Sequence, residues 1–183
     1  MSRWTDQMYD HKVDVVHGPA PMHRLEYVAP PAAGEDWQRG AIVSANADGE
    51  LVAGCSAGSV GNRPMPMIAI QSPHDLDVDP EANGSGFASA LPVTGGYEVA
   101  TTEFQKTVEG LPVIYAVNDL LTCDATGTVV RAGVDAYGAV PIVGVCSVAN
   151  TGLGAANAIG ARMQSNYSVP LLTFWTTFLP AQG

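Results

Sequence analysis

The chain has 183 residues, is 46% hydrophobic and 14% charged, and carries a formal net charge of −10 with 20 Gly and 13 Pro. That length allows one sizeable core or two small ones, and the acidic balance argues against nucleic acid as a partner, because such binders need a positive surface to displace counterions. The charge is uneven: residues 1–39 hold four of the eight Lys and Arg, so the remainder is the acidic part, which favours solubility and repels other anions.

In chain order, residues 1–38 are expected to form an extended arm and residues 39–183 a β-rich body. Pro19, Pro21, Pro30 and Pro31 disfavour an interior strand or a helix in the arm. Trp4, Met8, Tyr9, Met22, Leu25, Tyr27 and Trp37 make it too apolar for a free tail, so it is expected to lie against its own body or a neighbouring chain. The polar start MSRWTDQMYDHK has no apolar core segment, so no signal peptide is expected. No run reaches bilayer-spanning length, and no membrane association is expected.

The first β unit is expected near 40–72. Ile42 and Val43 lead into a turn at Asn46–Gly49, Leu51 and Val52 return, and Pro66 to Ile70 supply a third strand. Asp48-Gly49 is the turn signal, because Gly takes positive φ without strain. Residues 73–96 read as an irregular excursion, 97–104 as a strand and Leu111–Val117 as another. A second unit near 119–147 repeats the first. At constant offset Ile42 matches Leu120, Ser44 matches Thr122, Asn46 matches Asp124, Gly49 matches Gly127 and Val52 matches Val130. A further block matches Pro66 to Ser72 with Pro141 to Ser147. Repetition of this kind is a statement about architecture. Residues 152–164 suit a short helix weakened by Gly154 and Gly160. Residues 169–179, aromatic and β-branched between prolines, suit a central strand. The fold class is all-β.

Candidate chemistry is sparse. Gly54-Cys55-Ser56-Ala57-Gly58 matches the nucleophile-elbow pattern, but a poor helix follows and no His lies beyond His74, so the Ser–acid–His order cannot be built around Ser56. Asp75, Asp77 and Asp79 have calcium-loop spacing, yet Pro80 stands where Gly is needed and Gly86 where the closing Glu belongs. A solvated acidic loop is the better reading, with an irregular calcium site that includes Glu81 as the alternative. His11, His17 and His23 would not converge on an extended arm. Cys55, Cys123 and Cys146 are odd in number and lack a CxxC, so small buried thiols are expected rather than a disulfide framework. No catalytic residue, metal ligand or cofactor is assigned.

One resemblance rests on Asp36-Trp37-Gln38-Arg39-Gly40, Ile42-Val43, Asn46 to Gly49, Leu51 to Gly54, Met65 to Ile70, Tyr97 to Phe104, Asn118 to Thr122, Pro141 to Val145, and Leu172 to Trp175 with Phe178 to Pro180. From residue 36 to the end, this order resembles capsid decoration (cement) proteins of tailed bacteriophages. The resemblance implies a small β-barrel or tulip-like body built from two similar strand–turn–strand units, with an extended N-terminal arm. It implies a structural virion protein, made in the host cytoplasm, that binds the capsid exterior and bridges major capsid protein subunits, often as a homotrimer. Trp4, Tyr9, Leu25, Tyr27 and Trp37 of the arm are then the expected partner contacts. The alternatives are a tail or baseplate component, a small hydrolase using Ser56, and a calcium-stabilised adhesin.

Overall fold

The computed structural model describes residues 13–18, 27–55, 65–73, 86–94, 96–133, 140–149 and 171–180. Along the chain its strands are β1 (Val13–His17), β2 (Tyr27–Ala29), β3 (Ile42–Ala45), β4 (Leu51–Ala53), β5 (Met67–Ala69), β6 (Ala88–Pro92), β7 (Glu98–Thr101), β8 (Thr107–Val108), β9 (Leu111–Pro112), β10 (Leu120–Cys123), β11 (Val129–Arg131), β12 (Ile142–Cys146) and β13 (Leu172–Leu179). They form a six-stranded sheet in the order β1-β7-β13-β12-β10-β11, a five-stranded sheet in the order β2-β6-β5-β3-β4, and a two-stranded ribbon, β8-β9. The all-β expectation holds.

The expected arm and body are not separate where the chain is described. β1 pairs with β7 and β2 pairs with β6, each at the edge of its sheet. An edge strand needs only one ladder, so the prolines that bar an interior strand tolerate this placement. β13 lies between β7 and β12, the central position expected of the C-terminal run. The strand expected over 97–104 is shorter, ending at Thr101, with Phe104 making an isolated bridge. The strand expected over Leu111–Val117 is also shorter: Leu111–Pro112 forms β9, and Tyr115 makes an isolated bridge. The helix expected over 152–164, the Ser56 loop, the Asp75–Glu81 acidic loop and most of the 73–96 excursion lie outside the described residues.

The hairpin register is the same in both sheets. Val43 pairs with Ala53, Ser44 with Val52 and Ala45 with Leu51. At the matching positions Leu121 pairs with Arg131, Thr122 with Val130 and Cys123 with Val129. The turns share the same amide bonds to their first side chain. The Asn46 side-chain oxygen accepts from the amides of Asp48 and Glu50, and that of Asp124 accepts from Thr126 and Thr128. Gly49 and Gly127 have φ of 82° and 83°. The likeness runs on upstream: Gly40 and Asn118 both have positive φ, and their amides donate to Ala69 and Cys146.

The third strand differs from the sequence match. Met67 lies opposite Val43, and its counterpart opposite Leu121 is Gly144, not Ile142. A two-residue slide leaves the same side chains on the same face, so the apolar pattern alone does not fix the register.

Among the described residues no closed barrel forms. Each sheet instead has a parallel bridge between distant segments, Pro31 to Leu51 and Phe104 to Val129. Both are flanked by the same bonds: Leu51 N–H donates to Pro30 O and Ala32 N–H to Leu51 O, while Val129 N–H donates to Glu103 O and Gln105 N–H to Val129 O. These contacts occupy backbone groups of β4 and β11 that an edge strand would otherwise leave open.

The five-stranded sheet is buried on both faces. Ile42, Ile68 and Leu91 join one core with Val99, Leu121, Leu172 and Phe174 of the larger sheet, while Val43, Met67, Ala69, Ala88 and Ala90 join a second core around Trp37. The alternation follows from the two-residue period of a strand. Tyr115 stands in the first core at the position matching Trp37, so each hairpin is preceded by one buried aromatic. The turn of the second hairpin presses on the first sheet: Ile42 N–H donates to Gly127 O at 2.7 Å.

Candidate interaction surface

The five residues expected to contact a partner divide. Trp4, Tyr9 and Leu25 lie outside the described residues. Tyr27 is half-buried, and its hydroxyl donates to Gly49 O at 2.9 Å, tying β2 to the first turn. Trp37 is 1% exposed, and its indole N–H donates to Gln71 O at 3.1 Å. Trp37 is therefore a core residue of its own chain rather than a group offered to another protein, and Tyr27 is engaged internally.

A different segment presents apolar surface. β8 and β9 are joined by Glu109 and Gly110, with φ of 50° and 79°. Positive φ at both central residues makes a tight two-residue hairpin. Leu111 is 71% exposed, Ile114 60%, Val117 50% and Val108 47%. Val108 and Leu111 are direct cross-strand partners.

The base beneath this tip is held in several ways. Val113 packs against the first core, and its amide donates to Lys106 O. Tyr115 is fully buried, meets Phe104 edge-to-face at 5.7 Å between centroids, and donates its hydroxyl to Gln105 O at 2.8 Å. Burial also raises the Tyr115 pKa above the ordinary phenol value. Arg131 donates to Ile114 O at 3.1 Å, and the Ala116 amide donates to Asp119. Val113 and Tyr115 thus face inward while Ile114 between them faces out. Apolar groups fixed this way lose little further freedom on contact, which favours adhesion.

The outer face of the larger sheet offers another aromatic. Trp175 is 45% exposed and stacks on His17 at 6.1 Å between centroids. His17 Nδ1 lies 2.5 Å from the buried Glu98 carboxylate. Glu98 is the ladder partner of both His17 and Trp175, so this trio fastens the edge strand β1 onto β7 and β13.

Sequence reasoning missed the tip. The available signal was Glu109-Gly110, a two-residue turn just ahead of the strand expected over Leu111–Val117. Among the described residues no group of three His, Cys, Asp or Glu is placed to hold a metal ion, and no helix is long and apolar enough to cross a membrane. Comparison with protein-family models, curated proteins and solved structures finds no match.

Proposed function

We propose that this chain is a structural virion protein that decorates the outside of a tailed-bacteriophage capsid and stabilises it by bridging major capsid protein subunits. The single observation that carries the reading is the set of exposed apolar side chains Val108, Leu111, Ile114 and Val117 on and after the braced β8-β9 hairpin. Apolar side chains presented on a rigid base are suited to binding protein rather than to transforming a small molecule. The acidic balance of the chain supports a position facing solvent, away from a packaged genome. The matching hairpin registers support descent from one repeated β module, the pattern on which the resemblance to decoration proteins rests. Trp4, Tyr9 and Leu25 would add contacts to neighbouring subunits, and assembly as a homotrimer would multiply weak contacts on a symmetric shell.

The test is to purify particles from infected cells and quantify this chain against the shell subunit. The proposal expects a fixed stoichiometry, and release of the chain should lower the temperature at which shells rupture. Particles without the chain, or shells whose rupture temperature ignores its release, would overturn the reading.

A further inference from the structure

We propose that Cys55 and Cys123 form a dithiol site that closes to a disulfide and covalently clamps the two sheets together. The two cysteines stand 68 positions apart in sequence, on the segment leaving β4 and at the end of β10. The Cys55 amide donates to Cys123 Sγ at 3.2 Å. The backbones are pressed together beside them: a Cβ added at Gly54 would meet Asp124 O at 2.8 Å. Gly54 N–H donates to Ile42 O, and Ile42 N–H donates to Gly127 O, so both segments are pinned to one strand. Both thiols are free and half-buried. The hairpin match places Ala45 opposite Cys123 and Gly133 opposite Cys55. The pair is therefore absent from the internal repeat and present only where the two sheets meet.

The two sulfurs are not alike. Cys123 accepts hydrogen bonds from Cys55, which lower its pKa, and the same bond together with burial raises that of Cys55. The Cys55 amide on Cys123 Sγ favours the thiolate there, so Cys123 is the attacking thiolate and Cys55 the resolving thiol. With oxidised glutathione as oxidant, Cys123 attacks one glutathione sulfur. The glutathione S–S bond breaks and the first glutathione leaves as a thiolate. Cys55 then loses its proton and attacks Cys123 Sγ of the mixed disulfide, expelling the second glutathione. Two protein thiols are oxidised, one glutathione disulfide is reduced to two thiols, and both protons end on glutathione. Cys146 is buried, with its thiol on Val148 O at 3.2 Å, and takes no part.

The test equilibrates the full chain in graded glutathione redox buffers and maps disulfides by mass spectrometry without reduction. One intramolecular Cys55–Cys123 bond is expected, with Tm higher by on the order of 5–10 °C and reversed by dithiothreitol. Cys55→Ser and Cys123→Ser should each retain the fold and lose the redox response of Tm. Three free thiols in excess oxidised glutathione would overturn the proposal. So would an unresolved glutathione adduct, a bond that uses Cys146, or a Cys55–Cys123 bond that lowers Tm.

Discussion

Gly49 and Gly127 occupy the same place in two turns of the same register and share a φ near 80°, yet their surroundings differ. A Cβ at Gly49 would meet only the Tyr27 hydroxyl, at 3.6 Å, whereas one at Gly127 would collide with the Ile42 carbonyl at 2.3 Å and crowd Ala41. Gly49→Ala should therefore cost only the left-handed backbone penalty, about 1–2 kcal/mol. Gly127→Ala adds displacement of a backbone oxygen and loss of the bond it anchors, so urea unfolding should show a cost larger by about 1–3 kcal/mol. Equal losses would mean that the second turn does not bear on the first sheet. The Cys146 thiol offers a test through pH. Burial pushes its pKa from the ordinary value of 9.0 up to about 11. The folded thiol stays protonated where the unfolded one ionises, so its contribution is intact below pH 9 and falls away as pH rises toward 11. Cys146→Ala removes that fall. Its stability deficit against wild type, measured by thermal unfolding, should shrink from about pH 8.5 to about pH 10.5. A deficit that stays constant would contradict the burial argument.

Among the elements, the β8-β9 ribbon and the residues after it have no bonding role at their exposed apolar side chains. Leu111 and Ile114 can be changed together to Ser with little effect on the fold, within about 0.5 kcal/mol of wild-type stability. The same double variant should lose most of its binding to purified shells in a sedimentation assay, and retained binding would move the adhesive surface elsewhere. Elements were legible in the sequence where local chemistry fixes them. Asn46 to Gly49 and Asp124 to Gly127 carry their own turn bonds, so the repeat and its hairpins could be read directly. β1 and β2 could not, because Pro19, Pro21, Pro30 and Pro31 argue against interior strands while edge pairing depends on partners far along the chain. Trp37 reads as a sticky aromatic of an arm, and only the tertiary fold shows it filling the second core. The closeness of Cys55 to Cys123 likewise depends on how the two sheets pack, which their spacing in the sequence does not encode.

At the scale of the whole molecule, the repeated hairpins do not make the halves independent. Ile42, Ile68, Leu91 and Val93 of the first half lie in a core whose other fully buried members come from the second half. The Thr101 hydroxyl donates to Gly40 O, and the second turn bonds to Ile42. Separating the halves would expose four aliphatic side chains, each worth about 1.5–3 kcal/mol when buried. Their sum is comparable to the whole stability of a typical domain, about 5–15 kcal/mol. A piece ending near residue 95 should therefore fail to hold a native sheet on its own, showing broad non-cooperative melting or aggregation. The intact chain should unfold in a single transition with calorimetric and van't Hoff enthalpies equal. Two resolved transitions, or a first half that melts cooperatively by itself, would show that the shared core contributes far less than its burial implies. In that case the Cys55–Cys123 clamp would be joining two self-sufficient bodies. If instead the intact chain melts once and its half does not fold, a covalent link at this junction tightens a contact on which the whole fold already depends.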